Sequence, residues 1–245
     1  MRCQPRRDKS VYIWLKNRQI CLLCDEPSDT SIELCSACEA ELPWLGAHCL
    51  ICALPIPIHG LVCGACLKRP PTFSRVEAAW RYTFPLDALI TRFKHQAQWP
   101  LGRLLGELLS HHLQHTFSEG LAKPDVLLAV PLSSRRLRLR GFNQAQMLAR
   151  WLGHSLQLPV TEHLLQRTQD TPAQQKLSAA ERKRNLLQAF QLGDPHAVAG
   201  RHVALVDDVL TTGATAEAIA RVLKKAGAAR VDVYCLARTP SPGEH

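Results

Sequence analysis

Four C-x-x-C pairs stand in strict register near the start of this chain: Cys21 and Cys24, Cys35 and Cys38, Cys49 and Cys52, Cys63 and Cys66, each pair beginning fourteen residues after the last. No other feature restricts the fold as tightly. Two sulfurs with two residues between them share one tight turn and can reach a single ion. Eight thiolates in four such turns match two tetrahedral Zn²⁺ sites of four sulfurs each. Scattered core cysteines would not keep this register, and a redox C-x-x-C normally stands alone. The chain is expected to be cytoplasmic, where disulfides do not persist. Its start, "MRCQPRRDKSVYIWLKNRQI", is basic, but the apolar run Val11 to Leu15 is too short for a signal peptide and no cleavage site follows. No apolar stretch approaches the ~20 residues that span a bilayer. Cys3 and Cys235 fall outside the ladder, and His48 and His59 are not needed where each ion already has four sulfurs.

Equal spacing leaves the pairing open between consecutive knuckles on one ion and an interleaved cross-brace. The intervening segments favour the consecutive arrangement. "DEPSDTSIEL" and "ALPIPIHGLV" carry turn residues between short β-like pieces, as hairpins do, whereas "EAELPWLGAH" resembles a helical turn stopped by Pro43. One zinc then takes Cys21, Cys24, Cys35 and Cys38, and the other Cys49, Cys52, Cys63 and Cys66. The expected organisation is a basic segment over 1–18, a double zinc ribbon over 19–68, a linker "KRPPTF", and a larger domain over 75–240. Sites closed by four sulfurs are structural, and a ribbon this small needs its metal to fold. Such a module can dock nucleic acid, dock a partner, or brace the larger domain.

The larger domain alternates strands and helices. "RVEAAWRYT" is a strand. "PLDALITRFKHQ" puts Leu86, Leu89, Ile90 and Phe93 on one helical face, and "LGRLLGELLSHHLQH" does the same with Leu101, Leu104, Leu105 and Leu108. His111, His112 and His115 close that helix, where the dipole favours them. "DVLLAVP" has the continuous apolar character of a strand buried on both faces. A basic loop "LSSRRLRLRGFNQ" and a helix "AQMLARWLGHSLQ" follow, then a strand at 160–165, a polar stretch over 166–185, the strand "RHVALV", a turn, a helix ending on Gly227, and the strand "ARVDVYCLA". This order predicts an α/β domain with a mainly parallel sheet, whose ligands bind beyond the carboxyl ends of the strands.

Two such ends carry chemistry. In "VALVDDVLTTGAT" a buried strand runs into Asp207 and Asp208, then into hydroxyls around Gly213 and the start of a helix. The free N–H groups and dipole of a helix start make an anion site, Gly213 permits an unusual backbone angle, and two carboxylates suit a vicinal diol. Diol binder followed by phosphate binder describes a ribose 5-phosphate. There is no G-x-x-x-x-G-K-[ST] or G-x-G-x-x-G loop. The net charge of +9 is concentrated: residues 131–184 hold ten Lys/Arg against three Asp/Glu, 10 − 3 = +7, which favours anionic partners.

"VALVDDVLTTGAT" resembles the phosphoribosyl-diphosphate (PRPP) signature of type I phosphoribosyltransferases. The order double zinc ribbon, "RRLRLRGFNQAQMLA", "RTQDTPAQQKLSAAERKRN" and PRPP motif resembles the ComF family, including its GntX-like members, over all but about the first eighteen residues. The resemblance implies a type I phosphoribosyltransferase-like domain preceded by a small zinc-ribbon module. It implies Asp207 and Asp208 on the ribose hydroxyls and in catalysis, and Thr211, Thr212, Gly213, Ala214 and Thr215 on the 5-phosphate. Ser133, Ser134, Arg135 and Arg140 become candidates for the diphosphate, with Arg140 to Gln144 matching the family's "RGFNQ" block, and residues 167–184 resemble a closing hood. The implied cofactors are Mg²⁺ with PRPP and two structural Zn²⁺. ComF proteins are associated with natural competence, so the implied partners are PRPP, single-stranded DNA and DNA-uptake proteins at the inner membrane.

The activity so implied is phosphoribosyl transfer with release of diphosphate, in DNA uptake or nucleotide metabolism. The alternative is a non-catalytic PRPP sensor that handles single-stranded DNA. One departure bears on the acceptor: purine-salvage members often carry an acidic residue where this chain has Thr211, and threonine is no strong base.

Overall fold

The structure, a computed structural model, describes residues 19–168 and 189–241. The basic segment 1–18, Cys3, and nearly all of the expected hood lie outside the described residues. The described chain divides into two compact units, one ending at Leu42 and the other beginning at Pro43. The expected 19–68 ribbon module thus has one half in each unit.

The first unit holds the Cys21/Cys24 turn and the Cys35/Cys38 turn, the latter opening a short helix α1 (Ser36–Ala40). Ile32, Leu34 and Leu42 are its buried aliphatic side chains. The expected hairpin is not a ladder. A single bridge joins Ile20 to Pro27, and the loop is held instead by Ser28 and Thr30 hydroxyls donating to the Ile32 and Leu34 carbonyls. In the second ribbon the hairpin is likewise reduced to one bridge, His48 with Pro55. The Cys63/Cys66 turn opens α2 (Gly64–Lys68).

The second unit carries the sheet. Strands β1 (Arg75–Arg81), β2 (Val126–Ala129), β5 (His202–Leu210) and β6 (Arg230–Arg238) form one sheet in the order β1-β6-β5-β2, every pair parallel. Residues 43–45 run beside β1: Arg81 donates to the Pro43 carbonyl, Leu45 donates to Ala79, and Trp44 stacks on Trp80. Helices α3 (Leu86–Gln96) and α4 (Trp99–Ser118) follow β1, and α6 (Gln144–Leu156) follows β2. Helices α4 and α6 pack together and cover one sheet face. Helix α7 (Ala214–Lys225) covers the other, with the two-stranded antiparallel sheet β3 (Leu165–Arg167) and β4 (Phe190–Leu192). Ala53, Ile51 and Cys52 of the second ribbon and Phe73 of the linker join the core on that side.

Three expectations are corrected. The basic stretch after β2 is not a loop throughout, because residues Ser134–Arg140 form a helix, α5. Ser133 caps it, its hydroxyl accepting from the Arg136 N–H, and Gly141 ends it in the left-handed conformation at φ 81°. The helix buries no side chain, so no apolar period signals it. The strand expected at 160–165 is a lone bridge from Val160 to Leu127, and regular pairing begins only at Leu165. Strand β5 does not stop at the acidic pair; it runs on to Leu210, paired with β6 as far as Arg238.

Candidate functional site: an acidic pair, a glycine-started helix and two cysteine clusters

The eight ladder cysteines gather as consecutive pairs. The sulfurs of Cys21, Cys24, Cys35 and Cys38 lie within 4.8 Å of one another, as do those of Cys49, Cys52, Cys63 and Cys66. The Cys24–Cys35 and Cys52–Cys63 separations are 3.8 and 3.7 Å. A tetrahedron of sulfurs at ~2.3 Å from a Zn²⁺ ion has edges of about 3.8 Å, so both donor sets fit the ion. Burial works against ionisation of Cys21 and Cys49, yet backbone N–H groups aimed at their sulfurs pull both thiols below the usual range. Cys63 N–H, for example, donates to the Cys49 sulfur at 3.2 Å. All four positions are filled by sulfur, which makes the clusters structural rather than catalytic. Among the described residues, these two clusters alone bring together three or more metal-ligating side chains. His112 instead faces Glu77 at 3.7 Å.

The acidic pair sits near the carboxyl end of a central strand, where α/β sheets bind ligands. Asp207 Oδ1 accepts the Asp208 N–H at 2.9 Å, and Asp208 Oδ1 accepts the Val209 N–H at 2.7 Å. Asp208 Oδ2 pairs with Lys94 Nζ of α3 at 2.9 Å. Burial, then the neighbouring Asp208 charge, push the Asp207 carboxyl well above the usual carboxylate range, and Lys94 opposes them. Burial draws the Arg140 guanidinium down while the Asp208 charge draws it up. Two cations from separate elements, Lys94 and Arg140, therefore act on one carboxylate. Sequence reasoning missed Lys94. The only signal was a lysine directly after Phe93 on the buried face of α3.

Beyond Leu210 the chain turns into α7. Thr211, Thr212 and Ala214 are exposed, and Gly213 caps the helix at φ 73°, in the region that disfavours a side chain. No side-chain cap is made at Gly213; the Ala214 N–H meets the Thr212 hydroxyl at 3.4 Å and the Glu217 N–H the Gly213 carbonyl, which leaves those of Thr215 and Ala216 for an anion. The segment after β2 divides in function. Ser133 is buried as the cap of α5, while Ser134, Arg135, Arg136 and Arg138 are exposed. The "RGFNQ" block builds a corner. Arg140 bonds the Gln144 side chain, and Phe142 packs on Phe93. Asn143 donates to the Val130 carbonyl and caps α6 through Ala145.

A family model for the phosphoribosyl transferase domain matches residues 108–245, and one for the double zinc ribbon domain matches residues 17–67. DNA utilization protein YhgH of Salmonella typhimurium is 40% identical over 222 residues, spanning 90% of this chain and 97% of that protein. Competence protein F of Haemophilus influenzae is 35% identical over 207 residues, spanning 84% of this chain and 90% of that protein. The chain belongs to the ComF family. The fold of this ComF chain is the type I phosphoribosyltransferase fold with a parallel sheet and an N-terminal double zinc ribbon. Among solved structures, a purine phosphoribosyltransferase from Pyrococcus horikoshii is 21% identical, covers 55% of the ComF chain and 70% of its own, and has a TM-score of 0.34. No described helix of the ComF chain is long and apolar enough to cross a membrane.

Proposed function

We propose that this chain binds PRPP with Mg²⁺ and transfers its phosphoribosyl group to an acceptor, releasing diphosphate. One observation carries the reading: the acidic pair near the end of β5 leads within a few residues into a glycine-started helix with no side-chain cap at Gly213. Asp207 and Asp208 accept from the ribose hydroxyls. The Thr211–Thr215 loop holds the 5-phosphate with backbone N–H groups and threonine hydroxyls. Asp208, already fixed by the Val209 N–H and Lys94, is held in one orientation, which lowers the entropy cost of clamping the diol. Arg140, Ser134 and Arg135 receive the diphosphate in this reading, and Lys94 adds a further cation beside Asp208. Mg²⁺ would enter this site as a companion of the diphosphate. There it supplies charge neutralisation of the leaving group. Positive charge developing at C1 of the ribose is stabilised by the nearby carboxylates.

The acceptor is not expected to be a 6-oxopurine handled by a residue-211 base, because the exposed Thr211 hydroxyl cannot take a proton at neutral pH. Calorimetric titration with PRPP and Mg²⁺, followed by an assay of diphosphate release against a panel of nucleobases, tests the proposal. Binding with release on one acceptor supports transfer. Binding without release on any supports the sensing alternative, and no binding refutes both.

A second reading, contact with single-stranded DNA, is favoured by α5. Its Arg135, Arg136 and Arg138 are exposed, and exposed Trp99 meets Phe142 of the adjoining corner edge-on. Cationic groups beside an exposed aromatic ring suit a single strand. The relatives' names point the same way. Each phosphate contact adds ~0.7 to the slope of log affinity on log salt for a single strand. Replacing the three arginines by alanine should lower that slope by about 2. An unchanged slope would move the DNA contact away from α5.

A further inference from the structure

Arg238 ends β6 with its side chain buried, and its guanidinium meets four backbone carbonyls. Nε donates to Cys52 O at 2.9 Å. Nη1 donates to Leu210 O at 3.1 Å, Thr211 O at 2.5 Å and Thr239 O at 2.6 Å. One acceptor thus belongs to a ligand residue of the second cysteine cluster, and two belong to the entrance of the phosphate loop. The linker that follows the cluster touches the loop and its helix as well, and β1 touches the cluster. Thr72 of the linker donates from its N–H and its hydroxyl to the Glu217 carboxylate of α7, at 2.7 and 2.9 Å. The Phe73 ring lies 3.9 Å from where a Cβ on Gly213 would sit. Val76 N–H donates to Ile51 O at 2.9 Å. Between cluster and loop lies a cavity of about 660 Å³, with Cys52, Cys66, Phe73, Thr212 and Gly213 in its wall and Arg238 at its side.

The physical consequence depends on what keeps Cys52 in place. The cluster's apolar company is thin, mainly Ile51, Leu54, Ile56 and Val62 around Cys49, Cys63 and Cys66. A ribbon of this kind is ordered by its metal. With Zn²⁺ bound to four thiolates the cluster is a net dianion, and the buried guanidinium beside it gains from that charge. Without the metal, the Cys52 carbonyl loses the anchor of its own side chain and keeps only the hold of its neighbours, the Ile51–Val76 bond and the buried Ala53. A buried cation that loses an acceptor is costly, and its other bonds run to the loop.

We propose that Arg238 is a positioning residue that couples the metal state of the second cluster to the Thr211–Thr215 phosphate loop. Metal loading at Cys49, Cys52, Cys63 and Cys66 and sugar-phosphate binding are then linked equilibria. The proposal rests on the reading of this loop as a 5-phosphate site.

Linkage is reciprocal, so the ligand must also protect the metal. The test uses the full chain with Cys24→Ser and Cys38→Ser, which empties the first cluster, and with Co²⁺ in the second as a visible probe. Withdrawal of the ion by a chelator is followed with and without PRPP and Mg²⁺, alongside calorimetry of PRPP binding. With PRPP, the chelator concentration that withdraws half of the ion at equilibrium is expected to rise about tenfold, within the 5–150-fold range usual for coupled sites. Arg238→Lys keeps the charge but cannot reproduce a fork reaching several carbonyls. It should retain the metal, abolish the protection, and weaken PRPP binding by about tenfold. Arg238→Met, with no charge, should do the same. Unchanged withdrawal in a protein that calorimetry shows to bind PRPP overturns the coupling alone. Protection that survives Arg238→Lys overturns the role of Arg238. A wild-type chain that does not bind PRPP overturns the sugar-phosphate reading, and the coupling with it.

Discussion

Replacing Asp207 and Asp208 together by asparagine is expected to abolish measurable PRPP binding. Hydrogen bonds to a charged partner contribute ~1.5–3 kcal/mol each. Above pH 8, where the raised Asp207 carboxyl is also ionised, losing one per carboxylate amounts to roughly 3–6 kcal/mol, or about a hundred- to ten-thousand-fold in affinity. Asparagine keeps the side-chain shape and an oxygen for the Asp208 and Val209 N–H groups, so β5 should retain its pairing. The single variants should not be additive. Asp208→Asn also strips Lys94 of its partner and relieves the repulsion that raises Asp207, and groups that share a network couple. Calorimetry on the double variant, with circular dichroism to confirm the fold, decides the matter. Affinity within threefold of the wild type would remove the acidic pair from the site.

The second large effect concerns the metal. Cys24→Ser with Cys38→Ser should reduce zinc from about two ions per chain to about one, and should expose residues 19–42 to proteolysis. Ile32, Leu34 and Leu42 are the buried aliphatic side chains of that segment, too few to offset the backbone entropy of ordering it. Structural zinc contributes ~10–16 kcal/mol of apparent binding free energy in ribbon-sized units. Cys49→Ser with Cys66→Ser should remove the other ion and also lower the melting temperature of the larger domain, because Ala53, Ile51 and Cys52 belong to its core. Metal analysis and limited proteolysis read both outcomes. Two zinc ions retained by either double variant would refute the assignment of its cluster.

The parts of this site that were legible in the sequence are local ones. A strand, two carboxylates, a glycine and a helix start follow one another without interruption, and each has its own physical signal. The cysteine ladder is legible for the same reason, since spacing is its geometry. Lys94 and Arg238 were not, because each is a single cation on an otherwise ordinary element and meets its partner through the tertiary fold. Helix α5 was hidden by the absence of a buried face; only the Ser133 cap and Gly141 mark it. Turn residues between β-like pieces predict strand pairing in the ribbons, and the structure reduces it to one bridge in each. In these ribbons the cysteine turns and side-chain hydrogen bonds, such as those of Ser28 and Thr30, do the work that a ladder would do.

The pairing of residues 43–45 with β1 has a consequence for how this protein can be divided. Strand β1 lies at the border of the sheet, with β6 on one side only. The N–H groups of Arg81 and Leu45 and the carbonyls of Pro43 and Ala79 close part of the other side. A fragment beginning at the linker would uncover that border and leave Trp80 without Trp44. Bare edge strands recruit other edges, so such a fragment is expected to self-associate. The natural cut is at Pro43. The second zinc ribbon, Cys49 to Cys66, belongs to the same compact unit as the phosphoribosyltransferase fold, and the first ribbon to the other unit.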